Sequence, residues 1–147
     1  MKTLNPYHIK QQLLWYVYWL RSVSMYWILD VFFTVFHSAV IAFNLTGWIW
    51  KKTRKIHLIT VTITLLNWTA LGYFYGWGYC FLTDWHYDVL AMRGINDLPT
   101  SYITFLIERV SGVRLENHLV ILATVITFGF ILIITYGGYV YRLWRRK

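Results

Sequence analysis

An all-α integral membrane fold with three transmembrane helices is what this sequence predicts, and three observations predict it. Of the 147 residues 58% are hydrophobic and 20% aromatic, three long stretches carry at most one Asp, Glu, Lys or Arg each, and the basic residues gather at one end of those stretches. Such a chain is too apolar for disorder and too short for two ordinary domains, so residues 1–147 form a single membrane domain. Its single cysteine, Cys80, excludes an intrachain disulfide framework and a thiolate zinc cluster.

Residues 1–27 open the chain with a short apolar run, Leu13 to Leu20, which Arg21 closes. That run is too short to cross a bilayer, and its Trp and Tyr residues suit headgroup depth, so an interfacial helix is expected there. A fourth span is the alternative, but residues 13–50 are too few for two spans and a turn. Nothing after the run resembles a signal-peptide cleavage site. Residues 28–50 hold one formal charge, Asp30, and reach about 34 Å at 1.5 Å per residue, enough to cross a ~30 Å hydrocarbon core. Residues 56–79 and 119–141 hold no Asp, Glu, Lys or Arg and make the second and third spans. The Gly137-Gly138 pair in the third is tolerable in lipid beside a closely packed neighbour.

Basic residues set the orientation, because short loops rich in Lys and Arg stay in the cytoplasm. Lys51, Lys52, Arg54 and Lys55 join the first two spans, and Arg142, Arg145, Arg146 and Lys147 end the chain. Residues 80–117 are therefore expected to be extracytoplasmic, and they contain five of the six acids: Asp84, Asp88, Asp97, Glu108 and Glu116. The expected protein has its N-terminus outside and its C-terminus in the cytoplasm. Orientation and anionic lipid explain the positive charge, and no nucleic-acid partner is needed.

A polar stripe runs through the spans. Asp30, Thr34, His37 and Asn44 share one face of the first, and His57, Thr60, Thr64 and Asn67 one face of the second; Thr124, Thr127 and Thr135 follow more weakly in the third. Lipid offers these groups no partner, so the stripes are expected to face one another as interhelical glue. The sharper reading is a polar pathway or small-ligand site lined by Asp30, His37 and Asn67. With a turn near Thr53, His37 and His57 differ in depth by about 18 Å, too far apart to be the two axial ligands of one haem. His37 matches Asn67 in depth, and a hydrogen bond between them is expected.

Chain order brings Asp30, Cys80, Thr83, Asp84, His86, Asp88, Glu116 and His118 to the same outer boundary. Asp84, His86, Asp88 and His118 are candidate metal ligands there, although no metal-binding spacing is present. Against this, Thr83 and Asp84 are expected to cap a helix over 85–92. Cys80 reads as a small buried hydrophobe, with redox or lipid attachment as the alternative. From Ser101 to Val113 the apolar residues at 102, 103, 106, 107 and 110 predict an amphipathic helix that lies on the outer membrane surface or docks on a partner, with Glu108 and Arg109 turned away.

The run from Gly76 through Trp77, Gly78 and Tyr79 to Cys80, Phe81, Leu82 and Thr83, with His37 and His57 in the spans before it, resembles a family of small bacterial inner-membrane proteins known as domain of unknown function 2784. The likeness covers roughly residues 28 to 142, and Thr83 to His86 with Leu98 to Ile103 resemble a Bacteroidetes-type branch. Phe81 stands where proline is common in that family. The resemblance implies the topology and singles out His37, His57, Cys80 and Thr83 as candidate cofactor-binding residues, with no cofactor and no reaction attached to them. The first functional reading is a non-catalytic accessory or structural subunit of a larger envelope complex in the bacterial inner membrane, in contact with lipid and with a membrane-protein partner or a second copy of itself. Its 21 Trp and Tyr residues hint at protein contacts. The alternative is a metal-, haem- or quinone-binding redox protein or enzyme with a site at the outer membrane boundary. A small transporter ranks last, for want of paired interior charges.

Overall fold

The computed structural model describes the backbone of residues 6–145 and the side chains of residues 23–145. Among these there are five helices and no strand. Helix α1 (Pro6–Thr46) is followed by α2 (Arg54–Tyr75), α3 (Phe81–Met92), α4 (Tyr102–Ser111) and α5 (Asn117–Trp144). Three segments are long and apolar enough to cross a membrane: Val23–Thr46, Arg54–Tyr75 and Asn117–Trp144.

Each span differs in detail from the sequence expectation. The first helix does not start near residue 28: α1 is one continuous helix of 41 residues, because no Gly or Pro interrupts it after Pro6. Residues 1–5 of the expected interfacial segment lie outside the described residues, and its remainder continues directly into the span. At the other end Gly47 closes the helix four residues early, where a Cβ would lie 2.7 Å from both the His57 ring and the Phe43 carbonyl oxygen. Helix α2 ends at Tyr75 rather than at residue 79, since Gly76 takes a φ of 111° that side-chain-bearing residues rarely adopt. Within α2, residues Asn67–Leu71 form a π-helical turn that presents Trp68 to Phe128 of α5, the ring centroids 4.8 Å apart.

The helices bury two apolar cores. In the first, Val61 of α2 packs on Phe128 and Ile131 of α5. The second lies between α1, α3 and α4, where Leu90, Tyr102 and Phe105 are buried with Ile41, Tyr87 and Leu98 against them. Large apolar side chains stay exposed along all three span candidates, as a lipid-facing surface requires.

The polar stripe divides between these two regions. Toward the Gly47–Thr53 turn, Asn44 Nδ2 donates to Thr64 Oγ1 at 2.9 Å, and His57 Nε2 lies 2.9 Å from the Asn44 carbonyl oxygen. Thr135 Oγ1 approaches His57 Nδ1 at 3.5 Å, and Thr62 and Tyr136 join at 2.8 Å. These are the interhelical bonds expected of glue. Thr127 is exposed and takes no part, and Thr124 bonds back to the Val120 carbonyl of its own helix.

Candidate functional site

At the end of the first span away from the Gly47–Thr53 turn, α3 and α4 stand alongside α1. Cys80 and Tyr102, at the starts of the two elements, meet His37: Cys80 Sγ lies 3.8 Å from His37 Nε2, and the Tyr102 ring stacks on the imidazole at 3.9 Å. Their far ends, Arg93 and Arg109, meet Asp30. His37 and Asp30 are seven residues apart on α1, so both elements cover about 10 Å of that helix. Helix α4 thus reaches the first span candidate with side chains from both of its ends. The residues it turns toward Asp30 and His37 are Tyr102, Phe105 and Arg109, a spacing of three and four that sequence reading passed over in favour of 102, 103, 106, 107 and 110; Tyr102 and Phe105 are buried, as is Thr104, while Arg109 stays partly exposed. Arg109 points inward, opposite to the expectation.

Asp30 is the centre of this region. Its carboxylate is fully buried and accepts from His86 Nε2 at 2.9 Å, from Arg109 Nη1 and Nη2 at 2.7 and 2.9 Å, and from Arg93 Nη1. The bidentate Arg109 contact is the fork geometry in which guanidinium and carboxylate match best. Thr34 Oγ1 donates to the Asp30 carbonyl oxygen at 2.8 Å and lies 3.3 Å from the carboxylate. One carboxylate in an apolar span is costly alone, and two cations and a histidine from three different places in the sequence neutralise it.

His86 is fully buried, packed against Phe33 at 5.7 Å and Phe105 at 5.4 Å. Burial holds its pKa below the ordinary 6.5, although the bond to Asp30 pulls the other way. The neutral ring donates from Nε2 to the carboxylate, which leaves Nδ1 as an acceptor. That Nδ1 is buried with no hydrogen-bond partner among the described residues, as are His37 Nδ1, Ser38 Oγ and the Tyr102 hydroxyl. The Tyr102 hydroxyl lies beside Ser38 and Thr34 without a hydrogen bond of good geometry, and burial raises its pKa to about 12. Arg109 is raised above its ordinary value by the bond to Asp30.

The expected site residues separate. Cys80 and His37 come together; His57 lies at the far end of the span, both ring nitrogens occupied by Asn44 and Thr135. Thr83 is half-buried in the first turn of α3. It does not cap that helix, which begins at Phe81 rather than near residue 85, with Cys80 at its N-cap position. Asp84 in the same turn is exposed and accepts from the Tyr79 hydroxyl at 2.8 Å, a bond that raises the Tyr79 pKa to about 12. Asp84, His86 and Asp88 do not converge, because a spacing of two places His86 on the opposite side of the helix from both acids. His118 is exposed, and no three His, Cys, Asp or Glu side chains converge on a metal position among the described residues. The expected His37 to Asn67 bond is replaced by the contacts with Cys80 and Tyr102. Sequence reading missed Arg93, Arg109 and Tyr102. A signal existed: a lone carboxylate in a span demands a cation, and Arg93, Arg109 and Arg114 are the cations of an otherwise acidic segment.

A histidine-bearing first span and a cysteine that follows the second are thus brought into contact. The family model described as Protein of Unknown function (DUF2784) matches residues 27–141. The chain belongs to the DUF2784 family. The matched region begins just before Asp30 and takes in α2, α3, α4 and most of α5, so every residue of the Asp30 cluster falls within the DUF2784 match. Neither the curated proteins nor the solved structures compared with the chain contain a match.

Proposed function

We propose that this DUF2784 protein is a non-catalytic integral membrane protein, an accessory or structural subunit of a larger envelope complex, whose α3–α4 cap is the extracytoplasmic part offered to its partner. In this reading it resides in the bacterial inner membrane with its N-terminus outside and its basic C-terminus in the cytoplasm. The observation that carries the reading is the use made of Asp30: its carboxylate bonds to His86, Arg93 and Arg109 at once. An acid so committed is poorly suited to proton transfer and well suited to clamping a cap on a span. Purification of the full chain in mild detergent tests this. Stoichiometric recovery of a membrane-protein partner supports it, and a pure monomer carrying a bound metal or a haem absorption band overturns it.

A second reading, a redox protein with a metal, haem or quinone at the cap boundary, is favoured by the four buried polar atoms around Tyr102 that have no hydrogen-bond partner among the described residues. A hydroxyl-bearing ligand such as a hydroquinone matches the acceptor at His86 Nδ1. Organic extraction of the same preparation distinguishes the two: stoichiometric quinone supports the second reading.

A further inference from the structure

Arg93 and Arg109 also border an open cleft of about 330 Å³ between α3, the 93–101 loop and α4. Leu90, Leu98, Pro99 and Phe105 supply apolar walls, and Asp97 and Glu108 supply carboxylates. Two sets of charges meet there. On the side toward α1, two guanidiniums face the single carboxylate of Asp30, and the set carries one surplus positive charge with His86 neutral. On the side toward residue 114, one guanidinium serves two carboxylates: Arg114 Nη1 lies 2.9 Å from Asp97 Oδ2, and Arg114 Nε lies 3.0 Å from Glu108 Oε1, leaving one surplus negative charge. The sets stay separate because Glu108 and Arg109, adjacent in sequence, leave α4 about 100° apart.

We propose that this cleft binds a zwitterionic amino-phosphate group, its phosphate against Arg93 and Arg109 and its ammonium against Asp97 and Glu108. A phosphate matches guanidinium donors, and an ammonium gives the two carboxylates the second cation they lack. The apolar walls suit the hydrocarbon that continues from such a group in a phospholipid. The same chemistry exists in a free solute, O-phosphoethanolamine, and the experiment separates the two. This inference is independent of the accessory-subunit reading.

The full chain, delipidated in detergent, is titrated with phosphatidylethanolamine, with phosphatidylglycerol, which has the phosphate and no ammonium, and with O-phosphoethanolamine, while thermal stability and native mass are recorded. The expected result is a preference of about tenfold for phosphatidylethanolamine over phosphatidylglycerol, the worth of one added charge-assisted contact of about 1.4 kcal/mol. Equal effects of O-phosphoethanolamine and the lipid identify the free solute as sufficient; an effect of the lipid alone assigns the site to the membrane. In Asp97→Asn/Glu108→Gln protein the preference is lost while phosphatidylglycerol binding remains. Asp97→Asn alone, at a side chain 86% exposed, gives a partial loss without endangering the fold. Equal response to both lipids in the wild-type chain, or no response to any of the three compounds, overturns the proposal.

Discussion

Replacing Asp30 by Asn tests whether one carboxylate holds the cap to the first span. The wild-type side chain is completely buried and accepts from His86 at 2.9 Å, from Arg109 at 2.7 and 2.9 Å, and from Arg93. Removing one partner of a buried ion pair costs about 3–5 kcal/mol. Arg93 and Arg109 keep 24% and 34% side-chain exposure, so both can turn toward water, and the lower figure of about 3 kcal/mol applies. At 1.4 kcal/mol per factor of ten, the cap of Asp30→Asn protein opens about 100-fold more often. Cys80 is the assay: it is the single cysteine, it is half-buried against His37 at the start of α3, and a rise in its alkylation by a maleimide reports opening. The alkylation rate rises by up to that factor in Asp30→Asn protein. In an Asp30→Leu/Arg93→Met/Arg109→Met protein it returns most of the way, since apolar replacement of all three removes the uncompensated charge. A folded, fully expressed Asp30→Asn protein with an unchanged Cys80 rate refutes the reasoning.

Three further outcomes follow from the geometry. Tyr102→Phe leaves thermal stability unchanged or slightly higher, because the hydroxyl removed is buried without a hydrogen-bond partner among the described residues; a loss of more than about 1.5 kcal/mol refutes this. Gly47→Ala destabilises the α1–α2 hairpin by about 1–3 kcal/mol, the usual cost of forcing a methyl into a filled space, measured by chemical unfolding in detergent; a neutral effect shows that the His57 ring can yield. Acidification weakens the cap through His86, which faces Asp30, Arg93 and Arg109: with its folded pKa held below 6.5 by burial, the unfolded chain takes the proton first. The stability this histidine contributes is complete above pH 6.5 and is lost as the pH falls from there toward the folded value, by at most about 1.4 kcal/mol per pH unit. Thermal midpoints at stepped pH check this, and in His86→Gln protein that share of the decline is absent.

Much of the architecture was legible because hydropathy and helix length act locally. Residues 56–79 and 119–141 read as spans, and the structure has helices long and apolar enough to cross a membrane at Arg54–Tyr75 and Asn117–Trp144. The pairings were less legible, since they depend on how segments far apart in sequence pack. Asp30, Cys80 and His86 could be brought to one end of the bundle by chain order, whereas the bonds from Arg93 and Arg109 required knowing that α3 packs on α1 and that α4 turns its side chains toward the same helix. For Arg109 the apolar pattern admitted two faces of one helix, and only the Asp30 carboxylate decides between them. The same packing replaces the expected His37 to Asn67 pair, because Tyr102 covers the His37 ring. The absence of paired interior charges, which ranked a transporter last, does not hold at Asp30.

The unbroken course of α1 has a mechanical consequence. Seventeen residues precede Val23 in that helix, a rod of about 25 Å with no Gly or Pro after Pro6 to act as a joint. A tilt of the crossing segment by about 10° swings the far tip by about 4 Å, and a molecule gripping the tip turns the crossing segment in return. With Val23 as the pivot, the rod has the length of a lever acting on the crossing segment, seven residues from Asp30.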